Sequence, residues 1–151
     1  MRKALRSDSF LQPLVADGLG AVTRRQDREC FDAGVRADFA DSLDADAALA
    51  PAHPDDNRWD FLLGHAPSGE VIAVEVHSAK NDQIGTLIKK RERARVQLRP
   101  HLRDGATISR WLWVASGTVQ FAPFDRATLQ LAQNGIGFVG RRLLAKHLPP
   151  R

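Results

Sequence analysis

The stretch from Arg58 to His77 constrains the fold of this chain more than any other, because it reads as one antiparallel hairpin. Arg58-Trp59-Asp60-Phe61-Leu62-Leu63-Gly64 supplies one strand and Glu70-Val71-Ile72-Ala73-Val74-Glu75-Val76-His77 the other. The link Ala66-Pro67-Ser68-Gly69 has the composition of a turn, with Pro preset for its first central position and Gly tolerant of the closing backbone angle. Folding there sets His65 against Glu70 and so Asp60 against Glu75. Strand residues alternate faces, which sorts the side chains. One face pairs Trp59 with Val76, Phe61 with Val74 and Leu63 with Ile72, and is wholly apolar. The other pairs Arg58 with His77, Asp60 with Glu75 and Leu62 with Ala73. Two carboxylates opposed at a Cβ separation of about 4.5–5.5 Å repel each other, and a divalent cation held by both would remove the repulsion. The plainer expectation is that this face is solvated and its acids are surface residues.

Composition matters chiefly through its unevenness. At 151 residues the chain reads as a single domain, 1–151, able to bury a real core. A lone cysteine, Cys30, excludes an internal disulfide and suits a reducing cytoplasm. No apolar run is long enough to cross a membrane, and no apolar stretch follows the charged N-terminus as a secretion signal requires. The net charge is +4, but seven acids face one base between Asp38 and Asp60, whereas nine bases face three acids between Lys80 and Arg110. An acidic cation site bordered by a phosphate-binding surface has that distribution. So does a merely solvated helix face.

Along the chain, residues 1–57 read as an N-terminal helical region and loop. Ser9 is placed to cap a short helix from Phe10 with Pro13 in its first turn, and Phe39, Leu43 and Ala47, spaced four apart, suggest helix within Phe31 to Leu49. After the hairpin, Ile84, Leu87, Ile88, Ala94, Leu98 and Leu102 predict a long amphipathic helix from about Asp82 to Leu102 with a basic outer face. Trp111 to Ala115 predicts a buried strand. Ser116-Gly117 then reads as a turn, with Thr118 to Phe121 returning as a second strand. Asp125 is placed to cap a helix through Gln133, and Ile136 to Val139 reads as the last strand, followed by a basic tail. Strands separated by crossover helices give an α/β (α+β) fold: a central mixed β-sheet flanked by helices. Trp111 and Trp113, on one strand face, read as core rather than as a base-stacking platform, Cys30 as a small buried residue, and Glu29 as a surface acid.

An acid on one strand, a second acid on its neighbour with a functional group two residues later, then a helix and further strands: this arrangement resembles the PD-(D/E)xK, or restriction-endonuclease-like, nucleases. The matching residues are Asp60, Glu75 and the triplet Glu75-Val76-His77. The likeness covers 58–115 as a nuclease-like core, leaving 116–151 as a C-terminal hairpin strand, helix, strand and basic tail. It implies a Mg²⁺- or Mn²⁺-dependent nuclease in which Asp60, Glu75 and the backbone carbonyl of Val76 hold the metal. Mg²⁺ is commonly held by one or two carboxylates and several waters. Nucleic acid would then be the partner, with Lys89, Lys90, Arg93, Arg95 and Arg99 on its phosphates. DNA or RNA, and a monomer or a homodimer, remain open.

The chain departs from the family pattern at two positions. Trp59 stands at the loosely required proline. His77 stands at the lysine, where a neutral imidazole can act as a base but is a weaker electrostatic partner. Lys80 is the first candidate to supply the missing cation, then Lys89, with Lys90 also on the helix. The rival expectation is a catalytically inactive nuclease-fold module binding nucleic acid or a partner protein through its basic helix. A third is that the basic face serves solubility alone.

Overall fold

A computed structural model describes residues 1–122 and 124–151. Six strands form one mixed sheet in the order β1-β2-β3-β4-β5-β6, each beside its neighbour in sequence. They are β1 (Ala16–Asp17), β2 (Phe39–Asp44), β3 (Phe61–His65), β4 (Val71–Ala79), β5 (Ile108–Val119) and β6 (Ile136–Phe138). The first four are antiparallel in turn, while β4, β5 and β6 are parallel. Parallel neighbours require crossovers. Helix α3 (Ile84–Leu98) makes the first and α4 (Arg126–Gln133) the second, following the short helices α1 (Arg25–Glu29) and α2 (Ala45–Leu49).

The hairpin forms in the expected register, with Phe61 opposite Val74, Leu62 opposite Ala73 and Leu63 opposite Ile72. Its turn closes through His65 N–H to the Glu70 carbonyl (2.9 Å) and Gly69 N–H to the His65 carbonyl (2.8 Å), with Gly69 at φ +74°. Both faces are buried. Phe61, Leu63, Ile72, Val74 and Val76 pack with Phe31, Val35, Phe39, Leu143 and Leu148. On the other face Leu62 and Ala73 join Trp111, Trp113, Ile136 and the inner sides of α2, α3 and α4. The second face is therefore covered by helices rather than solvated.

Four expectations are corrected. Trp59 does not share a face with Phe61; it packs edge-on to Trp111, ring centroids 5.1 Å apart, in the helix-covered core. Alternation ends at Asp60, whose N–H turns to the Glu75 carboxylate (3.1 Å) while its carbonyl accepts from Ala45 N–H (2.9 Å). Phe39 to Leu43 is strand, not helix: β2 pairs with β3, and an irregularity between Phe39 and Asp41 sends Phe39 into one core and Leu43 into the other, so the spacing of four marks neither a helix stripe nor one strand face. Ser116-Gly117 is not a hairpin turn. β5 runs on through it with a bulge, the five residues Ala115 to Val119 matching the three from His77 to Ala79, and Gly117 at φ +92° takes the distortion. Finally, Ser9 caps only a turn: its hydroxyl accepts from Leu11 N–H (3.1 Å) ahead of the 3₁₀ segment Gln12–Leu14.

The long helix is present as α3 between 3₁₀ turns at Asn81–Gln83 and Arg99–His101, and α4 begins after Asp125. Trp111 and Trp113 are core, Cys30 is buried, and Glu29 is a surface acid paired with Arg25 (2.9 Å). Among the described residues no helix is long and apolar enough to cross a membrane.

Candidate functional site

Among the described residues the buried acids are Asp27, Asp41 and Glu75. Burying a carboxylate is costly unless it is paired, and each has a cation: Asp27 meets Arg24 (2.8 Å), Asp41 meets the Met1 amine (2.7 Å) and Glu75 meets Lys90. The first two pairs are self-contained. Glu75 differs because a second carboxylate, Asp60, comes beside it.

The local sequence brings these groups together. Asp60 stands at the entrance to β3 and Glu75 opposite it on β4, where the Asp60 N–H donates to Glu75 Oε2 and the Val76 N–H donates to Asp60 Oδ2 (2.9 Å). Each acid is thus locked by a backbone donor of the other strand. Lys90 reaches in from α3, its Nζ contacting Glu75 Oε1 and lying 3.8 Å from Asp60 Oδ1. His77, two residues along β4 and on the same face as Glu75, places Nε2 3.5 Å from Glu75 Oε1. Its Nδ1 lies 2.7 Å from the Ser78 carbonyl. A carbonyl only accepts, so Nδ1 carries the proton and a neutral ring presents its Nε2 lone pair to the acids. The ring packs on Trp113, centroids 4.9 Å apart, and the Trp113 Nε1–H donates to the His77 carbonyl (3.3 Å).

Electrostatics follow burial. Glu75 is 1% exposed. Desolvation, then the Asp60 charge, raise its pKa to about 8 against the opposing pull of Lys90. Desolvation also raises Asp60, with Lys90 and the Val76 N–H opposing. Burial lowers His77, which keeps the ring neutral near pH 7. A base and a reluctant carboxylate in contact are suited to share a proton.

The expected cation does not come from the expected place. Lys80 is exposed and makes no ion pair with Asp60 or Glu75; its backbone N–H bonds Gln83 at the 3₁₀ turn ahead of α3. Lys89 is exposed as well. Lys90 is the one that enters, and the sequence carried a signal for it: it lies three residues after Leu87 and four before Ala94, on the inward stripe of α3. A lysine on a core-facing stripe needs a buried partner. The remaining phosphate-binding candidates divide, Arg93 being exposed on the outer face while Arg95 and Arg99 line a groove with Arg91.

Among the described residues no group of three or more His, Cys, Asp and Glu side chains is arranged to hold a metal ion. The donor set still fits a hard divalent cation of minimal protein ligation. Two carboxylates converge on one point, and an ammonium already stands beside both. Lys90 is long and partly exposed, so it can withdraw without unfolding α3. The molecule is therefore an α/β protein with a six-stranded mixed sheet and a paired-carboxylate, histidine and lysine cluster on its helix-covered face. Comparison with family models, curated proteins and solved structures gives no match.

Proposed function

We propose that the chain is a metal-dependent nuclease, hydrolysing phosphodiester bonds in DNA or RNA from a restriction-endonuclease-like core. The observation that carries this reading is the convergence of Asp60, Glu75, His77 and Lys90, where two carboxyl groups, one of them fully buried, are held face to face by reciprocal backbone bonds. Strongly perturbed, mutually coupled titratable groups at one point are the mark of a chemical site.

In this reading Asp60, Glu75 and the Val76 carbonyl hold Mg²⁺ or Mn²⁺, which when bound supplies water activation and neutralisation of phosphate charge. His77 Nε2 accepts a proton from the attacking water, with Nδ1–H on Ser78 fixing the ring. Lys90 replaces the strand lysine, entering from the helix to stabilise charge on the phosphate oxygens. Trp113 fixes the imidazole from below.

A second reading has its own support. Lys90 already neutralises the acid pair, as it would in a non-catalytic module that binds nucleic acid or a partner protein. Hydrolysis decides between them. Purified protein with Mg²⁺ or Mn²⁺ is expected to cleave one or more of linear duplex, circular duplex and single-stranded DNA or RNA, and Asp60→Asn or Glu75→Gln to lose at least a hundredfold in rate. Wild type that leaves every substrate intact in both metals establishes the non-catalytic reading.

A further inference from the structure

Beyond Lys90, the arginines of α3 do not point at the acid pair. Arg91, Arg95, Arg99 and Arg103 recur every four residues and line a groove of about 780 Å³ between the C-terminal half of α3 and the segment entering β5. Glu92 and Asp104 are its acids. Glu92 bridges Arg91 (3.0 Å) and Arg95 (3.5 Å), whereas Arg99 forms no ion pair among the described residues.

Arg91 is built into place. Its guanidinium lies over Trp111, 5.4 Å from the ring centroid, and its Nε has no hydrogen-bond partner. On the other side, a Cβ on Gly135 would meet Arg91 Nη2 at 2.7 Å, and Gly135 sits at φ +75°, so the end of α4 is shaped around this side chain. The guanidinium is thus fixed against an indole and a glycine, with Nη1 on Glu92, as an anchored positive charge at one end of the groove. From Arg91 to Arg99 the helix rises roughly 12 Å, over which a stacked strand presents three or four phosphates at about 3.4 Å each. Val96, 70% exposed, adds apolar surface among the guanidiniums.

We infer that this groove binds a single strand of nucleic acid, its phosphates on Arg91, Arg95, Arg99 and Arg103 and its bases over the apolar floor. A positive track beside apolar surface is how sequence-tolerant single-strand sites are made. The inference deepens the nucleic-acid reading of the protein but does not depend on hydrolysis.

Fluorescence anisotropy in EDTA with a labelled 20-nucleotide single strand and its duplex tests it without any metal. Wild type is expected to bind the single strand more tightly than the duplex. Arg95→Gln/Arg99→Gln should weaken single-strand binding at least tenfold and flatten the slope of log K against log salt by about 1–2. The equal charge change Arg141→Gln/Arg142→Gln, outside the groove, should alter affinity less than about threefold, and Asp60→Asn/Glu75→Gln should leave binding in place. Equal loss in both arginine pairs, no loss in the groove pair, tighter binding of the duplex, or equal competition by polyglutamate overturns the inference. Binding without cleavage in metal retains the groove and removes the nuclease; cleavage with a silent groove pair does the reverse.

Discussion

The two faces of the β3–β4 pair are made from alternate residues of the same strands and have opposite characters. On one, Phe61, Leu63, Ile72, Val74 and Val76 join a cluster of apolar side chains, and none of these five strand residues is ionisable. On the other, Leu62 and Ala73 begin an equally buried core, which is then interrupted by Asp60, Glu75, His77 and Lys90. The first face gains from burial with no compensating arrangement. The second holds desolvated charge, and does so through backbone donors, an ammonium and an imidazole supplied from three elements. Partly desolvated carboxyl groups at that position cost stability that an apolar pair would not.

The contrast is sharpest under mutation. Ile72→Ala, in the uninterrupted face, should lower unfolding free energy by about 2–5 kcal/mol at every pH, since it removes a fully buried branched side chain and leaves a cavity. Denaturant titration at pH 5 and pH 9 reads this directly. Equal loss at both values is expected; a strong pH dependence would mean the two faces are energetically coupled.

Lys90→Met should behave differently. The folded pKa of Glu75, about 8, lies above its ordinary 4.5. Stability from the protonated acid is therefore full below about pH 4.5 and lost as pH rises through about 8. Removing Lys90 takes away the charge that favours the carboxylate, so the ionised form becomes costlier still. The variant should lose about 3–5 kcal/mol at pH 9 and little at pH 4, as removal of one partner of a buried pair does. Glu75→Gln should flatten wild type's decline between those pH values. A Lys90→Met cost that is the same at pH 4 and pH 9 would show the lysine to be packing alone.

The hairpin was legible in the sequence down to its register, because its turn and its apolar alternation agree and a one-residue slip would scatter both faces. The acid pair followed from that register. What was hidden depended on contacts distant in sequence. Trp59 fits the alternation as written and breaks it only because the Asp60 N–H is taken by a side chain. Gly117 suits a turn and a bulge alike, and only the parallel partner β4 selects the bulge. Lys90 is one of several helix lysines and arginines that the charge pattern offers for phosphates or for the missing cation, and only its place between Leu87 and Ala94, on the inward stripe, separates it from Lys80 and Lys89. The groove arginines are evident as charge in the sequence, but their separation from Lys90 emerges only once Arg91 is seen on Trp111.

On the proposed reading Asp60 and Glu75 make a cation site on the second face. Calorimetric titration with Mn²⁺ at pH 8.5, without nucleic acid, tests it most directly. Wild type should bind one ion, Asp60→Asn/Glu75→Gln none, and Lys90→Met should bind more tightly than wild type because the competing ammonium is gone. Absence of binding in wild type and in Lys90→Met alike, or binding unchanged by loss of both acids, would rule out a cation site at this pair.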